Sequence, residues 1–283
     1  MKNEQLLVDT EQIIKSKSHF LAKILPKFVL RYIKRIIHED DVNNVLSKHG
    51  HNKGIDFVNA TLNELNISYT AKNLEDIDSS ENSRFIFASN HPLGALDGLV
   101  LMSAIGKHFN NNVKFIVNDI LMHLKPLEPV FIPVNKHGRQ TVDYMKKTND
   151  AYASDCQILY FPAGLCSRKI KGKIVDLEWK KNIISKSLEY RRDIVPVYFA
   201  GKNSNFFYRL ANIRKKLGIK ANIEMFYLSD EFFKQKNSNF ELVFGEPIKY
   251  YTFDKSKSHV EWINFVRQKT YSLEKQIKNN KNK

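Results

Sequence analysis

From Arg84 onward the chain alternates short apolar, β-branched runs with stretches in which apolar residues recur at helical spacing. The runs predict strands at Phe85–Ala88, Val113–Val117, Val130–Val134, Ile158–Phe161, Ile194–Phe199, Ile223–Tyr227 and Leu242–Phe244. The spaced stretches predict helices at Gly98–Phe109, Thr141–Tyr152, Glu178–Tyr190 and Phe206–Leu217. Continuous apolar strands separated by helices predict an α/β fold with a mostly parallel central sheet flanked by helices. A last basic helix is expected over Ser258–Lys278, with Ser258 as its N-cap.

Upstream of Arg84 the pattern changes. After a polar stretch at residues 1–18, Phe20, Leu21, Ile24, Leu25, Phe28, Val29, Tyr32, Ile33, Ile36 and Ile37 recur at helical spacing. Lys23, Lys27, Arg31, Lys34 and Arg35 fill the gaps. Pro26 either divides this segment or starts its second helix. A basic amphipathic helix suits an interfacial membrane anchor, and it equally suits a helix whose apolar stripe packs on the domain while its lysines face water. Shorter helices are expected over residues 40–49 and 52–65. The polar connector Asp76–Ser83 then divides the chain into an N-terminal, helical, partly membrane-facing region (residues 1–80) and an α/β domain with a basic C-terminal helix (residues 81–283).

Chemistry concentrates where strands end, because loops at strand carboxyl ends are where α/β sheets bind ligands. The turn Ser89-Asn90-His91-Pro92-Leu93-Gly94-Ala95-Leu96-Asp97-Gly98 joins a predicted buried strand to a predicted buried helix. Five residues separate His91 from Asp97. On a straight helix they would lie about 240° apart at roughly 100° per residue, so they meet only if the chain bends, and Pro92 with Gly94 supplies the bend. A histidine oriented by a carboxylate is the general-base half of a triad. The alternative is a helix start with Asp97 near its N-terminus and His91 as a satisfied loop residue. Val130–Arg139, Tyr160–Arg168 and Ile194–Val197 are three further loops of this kind.

Composition trims the field. Of 283 residues 42 % are hydrophobic, enough for a full core. Cys156 and Cys166 are too few for a disulfide framework and point to a reducing, cytoplasmic compartment. The first nineteen residues lack the apolar core of a secretory signal, and no apolar run reaches membrane-spanning length. Phosphate-binding, dinucleotide-binding and nucleophile-elbow glycine patterns are absent, and the nine histidines form no metal-type cluster, so no metal is expected. The net charge of +15 calls for an anionic partner. No nucleic-acid motif accompanies it, so nucleic acid is not expected.

Four blocks, in this order, carry a family resemblance. They are Asn90-His91…Asp97, Phe131-Ile132, Phe161-Pro162-Ala163-Gly164 and Val195-Pro196, followed by Phe244-Gly245-Glu246-Pro247-Ile248. The chain resembles the glycerolipid and lysophospholipid acyltransferases of the lysophosphatidate-acyltransferase type over residues 84 to 250. Within them it is similar to a bacterial branch labelled glycerol acyltransferase or hemolysin. It departs in having five rather than four residues between His91 and Asp97. Ala163, Leu165 and Cys166 stand where the family has the Glu, Thr and Arg of its phosphate-binding block, with Arg168 displaced. A carboxylate on a lyso amino-acid lipid would therefore suit the acceptor site as well as a phosphate.

The resemblance implies an O-acyltransferase that moves a fatty acyl group from an acyl thioester to a lysolipid hydroxyl in membrane lipid biosynthesis. The acceptor would be 1-acylglycerol-3-phosphate or a lyso amino-acid lipid of the glycine or ornithine type. His91 would take the acceptor proton and Asp97 would hold its tautomer. Asn90, Lys136, Arg139, Gly164, Ser167 and Arg168 would bind substrate, with backbone N–H groups around Gly164 as an oxyanion hole. No cofactor is implied; acyl carrier protein or coenzyme A carries the donor. The basic charge then suits an acidic carrier protein and an anionic membrane surface, which places the protein peripherally on the cytoplasmic face of the inner membrane. A non-catalytic lipid-binding protein of the same fold is the alternative.

Overall fold

The computed structural model describes residues 7–17, 23–134 and 141–278. Nine strands are present among them: β1 (Ser68–Lys72), β2 (Phe85–Ser89), β3 (Val113–Asn118), β4 (Phe131–Val134), β5 (Gln157–Tyr160), β6 (Arg168–Ile170), β7 (Lys173–Val175), β8 (Asp193–Ala200) and β9 (Asn239–Phe244). Seven form one sheet in the order β1-β9-β8-β2-β5-β3-β4, parallel throughout except where β8 meets β9. β6 and β7 make a separate antiparallel hairpin. Its turn is formed by Lys171 and Gly172, both at positive φ, a conformation that glycine adopts without strain.

Helices α1 (Thr10–Lys17), α2 (Lys27–Ile36), α3 (Glu39–His49), α4 (Ile55–Glu64) and α5 (Leu96–His108) precede α6 (Thr141–Ala153) and α7 (Asn182–Tyr190). α8 (Asn205–Lys216), α9 (Leu228–Phe233), α10 (His259–Ser272) and α11 (Glu274–Lys278) complete the chain. Side chains alternate across a strand, and both faces of this sheet are covered. Phe85, Phe87, Leu159, Val195 and Phe199 pack with α3, α4 and α5. Ile86, Ala88, Ile158, Tyr160 and Ile194 pack with α6, α7 and α10. Helices on both faces of a parallel sheet explain why its strands are continuously apolar.

The structure corrects one predicted strand and adds one that the apolar pattern does not predict. Ile223–Tyr227 is a 3₁₀ turn, not a strand, because Glu224, its second residue, is drawn inward to two arginines. Ser68–Lys72, with no apolar run, is an edge strand pairing in parallel with β9. That strand lies before residue 80, and Val45, Leu46, Phe57, Val58 and Leu62 enter the same core as the sheet. The expected helix Phe20–Ile37 is described only from residue 23, with α2 starting after Pro26. The C-terminal helix starts where expected, with a reciprocal Ser258–Glu261 capping box, and breaks near Leu273.

At the amino edge of the sheet Arg192 is fully buried. Its guanidinium donates to the carbonyls of Tyr152 and Cys156 at 2.7 Å each, and to those of Phe85, Ala151 and Ser154. Ala151 and Tyr152 belong to the last turn of α6, where a cation meets the negative end of the helix dipole.

Candidate active site

β2 delivers its carboxyl end to the turn Asn90–Ala95, and α5 begins at Leu96. Gly94 sits at φ +83, and that left-handed residue turns the chain back so that His91 Nδ1 lies 2.9 Å from Asp97 Oδ2. The same oxygen accepts the backbone N–H groups of Leu93 (2.9 Å) and Gly94 (3.3 Å), while Oδ1 accepts that of Gly98 at 3.0 Å. The turn is thus wrapped around the carboxylate, and the extra residue before Asp97 is absorbed in that wrapping. A Cβ on Gly94 would stand 2.8 Å from Leu228 Cδ2 and 3.0 Å from Cys166 Cβ, so packing as well as φ demands glycine. Asp97 is wholly buried in the first turn of α5, where the helix N-terminus favours its charge.

The imidazole is held on a second side. Its ring stacks on Phe161 with centroids 3.9 Å apart, and Phe161 in turn meets Phe115 edge-on at 5.4 Å. Nδ1 faces Asp97; among the described residues Nε2 has no hydrogen-bond partner, and the side chain is 13 % exposed. An imidazole fixed by a carboxylate on one nitrogen, with the other facing out, can take a proton from a substrate hydroxyl.

Asp176, which carries no recognisable motif, fixes the backbone of this turn. Its Oδ1 accepts the N–H of His91 at 3.2 Å and the hydroxyl of Ser167 at 2.5 Å, and Oδ2 accepts Trp179 Nε1 at 2.8 Å. Ser167 N donates to the His91 carbonyl at 2.7 Å, so both polar groups of the His91 backbone are tied to the loop after β5. Burial raises the Asp176 carboxyl above its usual range, against the pull of Ser167 and Trp179.

The remaining expected site residues divide into two groups. Asn90 is buried: its Oδ1 accepts Phe199 N at 2.7 Å and its Nδ2 donates to Phe199 O at 3.0 Å, extending the β2–β8 ladder by one side-chain rung. Ser167 is buried on Asp176. Arg168 is buried too, 2.8 Å from Glu224, which also pairs with Arg214 of α8 at 2.8 Å. These three side chains are consumed in shaping the loops rather than presented to a ligand, because each has partners inside the protein. Lys136 and Arg139 lie outside the described residues. Gly164, at φ +66, spends its own N–H on Phe161 O at 3.0 Å, which removes that amide from an oxyanion hole. A Cβ there would stand 2.5 Å from Lys180 Nζ, so the glycine is what lets an ammonium lie against this loop. Cys166 is fully buried, and burial pushes its thiol up to about 11, which keeps it protonated near neutral pH and unsuited to nucleophilic attack.

A family model described as Acyltransferase matches residues 12–280 of the chain. The chain belongs to the acyltransferase family. This acyltransferase is 47 % identical over 267 residues to the lyso-glycine lipid O-acyltransferase of Phocaeicola vulgatus, spanning 94 % of this chain and 95 % of that protein. It is 44 % identical over 267 residues to the protein of the same name from Bacteroides thetaiotaomicron, spanning 94 % and 97 % respectively. The crystal structure of the 1-acyl-sn-glycerophosphate acyltransferase of Thermotoga maritima is similar at 14 % identity with a TM-score of 0.45, over 94 % of this chain and 95 % of that one.

Proposed function

We propose that this acyltransferase esterifies the hydroxyl of a lyso-glycine lipid with an acyl group drawn from an acyl thioester, with His91 as general base. The observation that carries the chemistry is His91 clamped between Asp97 and Phe161 with Nε2 facing out. The acceptor is supported by two relatives of that name at 44 % and 47 % identity. His91 Nε2 takes the hydroxyl proton as the oxygen attacks the thioester carbonyl carbon. A C–O bond forms, the tetrahedral intermediate collapses with loss of the C–S bond, and the imidazolium returns the proton to the leaving thiolate. Asp97 keeps the tautomer that presents Nε2 and stabilises the imidazolium between the two transfers.

The Lys180 ammonium against Gly164 is the cation we assign to the acceptor carboxylate. Acyl carrier protein is the proposed donor carrier, since an acidic protein is steered by a net charge of +15. The enzyme works peripherally at the cytoplasmic face of the inner membrane; no helix of the described residues is long and apolar enough to cross a bilayer. The test is acyl transfer by purified protein, from acyl carrier protein and from coenzyme A, to lyso-glycine lipid and to lysophosphatidate. Product with lyso-glycine lipid, and a KM for it raised about tenfold or more in Lys180→Ala with little change in kcat, is expected. Preference for lysophosphatidate would overturn the acceptor.

A further inference from the structure

Helix α8 carries two apolar faces. Phe207, Tyr208 and Ala211 are buried in the protein. At roughly 100° per residue, Phe206, Leu210, Ile213 and Leu217 form a second stripe on the far side. Phe206, Ile213 and Leu217 are exposed, Leu217 by 68 %, and Ile219 and Phe226 continue the exposed apolar surface beyond the helix. Arg209, Lys215, Lys216 and Lys220 surround it, all exposed, and residues 200–222 hold no acidic side chain. Globular proteins seldom leave such a contiguous stripe open without a use for it.

The stripe is joined to a second one. Phe206 packs edge-on against Tyr227 at 5.0 Å, and the Tyr227 hydroxyl hydrogen-bonds that of Tyr32 on α2. α2 buries none of its residues; Phe28 is 67 % exposed, with Lys27, Arg31 and Arg35 exposed around it. The joined face lies at the edge of the sheet where His91 lies. Asn203, two residues before α8, donates to the Leu93 carbonyl, and Arg214 of α8 shares Glu224 with Arg168 of the site loop.

We propose that α8 and the turn following it form, with α2, one docking face for an anionic bilayer, apolar stripe inward and basic flanks on the headgroups. Charge complementarity selects a membrane over a second copy of this chain, whose own face would bring lysines and arginines against lysines and arginines. The inference rests on the acceptor being a lipid drawn from that bilayer, and it makes docking and catalysis share one rim of the sheet.

The test is flotation of the full chain with vesicles of phosphatidylglycerol and phosphatidylethanolamine, and separately with phosphatidylcholine alone. The variants are Phe206→Ser/Ile213→Ser/Leu217→Ser on α8 and Phe28→Ser on α2, with thermal unfolding to show that these exposed changes leave the fold intact. A loss of bound protein of about tenfold or more in the α8 variant is expected. Weaker binding of wild type to phosphatidylcholine is expected as well, along with unchanged turnover of a short-chain, monomeric lyso-glycine lipid. Wild-type flotation by the α8 variant would overturn the proposal, as would a change from dimer to monomer in sedimentation with flotation intact. Absence of turnover with the soluble acceptor in wild type would count against the catalytic reading and leave the flotation result standing.

Discussion

Two nitrogen-bearing side chains, Arg192 and His91, sit at opposite edges of the same sheet, and they are treated in opposite ways. At the amino edge Arg192 is surrounded by backbone carbonyls from α6, from the turn after it and from the start of β2. At the carboxyl edge His91 is fixed through Nδ1, its ring face and both backbone groups, while Nε2 is left facing outward. A group satisfied on every side serves the fold; a group satisfied on every side but one is prepared for a reaction. The contrast separates buried polar groups that hold elements together from those that do chemistry.

The comparison breaks most directly if the two sites respond alike to mutation. The largest effect is expected for Asp97→Asn: kcat for acyl transfer falls by about 10²–10⁴-fold, with unfolding still cooperative. An activity near wild type would mean that the carboxylate is only a cap for the turn. Arg192→Met should do the reverse. Stranding several buried carbonyls costs about 3–5 kcal/mol of stability by denaturant titration, while the surviving folded fraction keeps its kcat. Loss of turnover without loss of stability would join the two edges functionally and undo the contrast.

Asp176 sharpens the comparison because it is buried like Arg192 yet holds the backbone of His91. Asp176→Asn should lower kcat roughly 10–10²-fold through a misplaced imidazole, leaving the lysolipid KM little changed. Its second readout is pH. Since burial raises this carboxyl above its ordinary 3.8, the folded protein keeps the proton to higher pH than the unfolded chain. The contribution of Asp176 to stability therefore falls as pH rises from about 4 through the raised value. The asparagine variant should flatten that limb of the stability–pH curve; an unchanged limb would show that Asp176 does not titrate there. The smallest effect belongs to Cys166→Ala, expected to cost about 1 kcal/mol and to leave kcat unaltered. A large loss of kcat would point to a covalent route through the thiol instead.

The fold was legible because the strands that build the centre of the sheet are buried on both faces and so read as unbroken apolar runs. β1 was not, because Ser68-Tyr69-Thr70-Ala71-Lys72 is an edge strand that turns only Tyr69 and Ala71 to the core, each half-buried, and so offers no apolar run. Ile223–Tyr227 misled for the converse reason: its apolar run packs as a turn whose one carboxylate is drawn in to Arg168 and Arg214. At the site, His91, Asp97 and the bend at Gly94 were legible because turn and spacing are local in sequence. Arg168 looked like a ligand for an anion, since nothing local shows that Glu224, far along the chain, already occupies it. Asp176 and Arg192 lie in polar stretches that read as surface, and only the long-range hydrogen bonds they make give them roles. Ser185 or Lys181 would have looked no different in the sequence.

The central claim is that His91, held by Asp97 at the carboxyl edge of β2, is the base that acylates a lysolipid. It is tested most directly by single-turnover acyl transfer from acyl carrier protein to lyso-glycine lipid, comparing wild type with His91→Ala. Product formation by wild type and a loss of about 10²–10⁴-fold in the variant, with its unfolding midpoint little changed, is the predicted result. Equal rates for the two proteins would contradict the account.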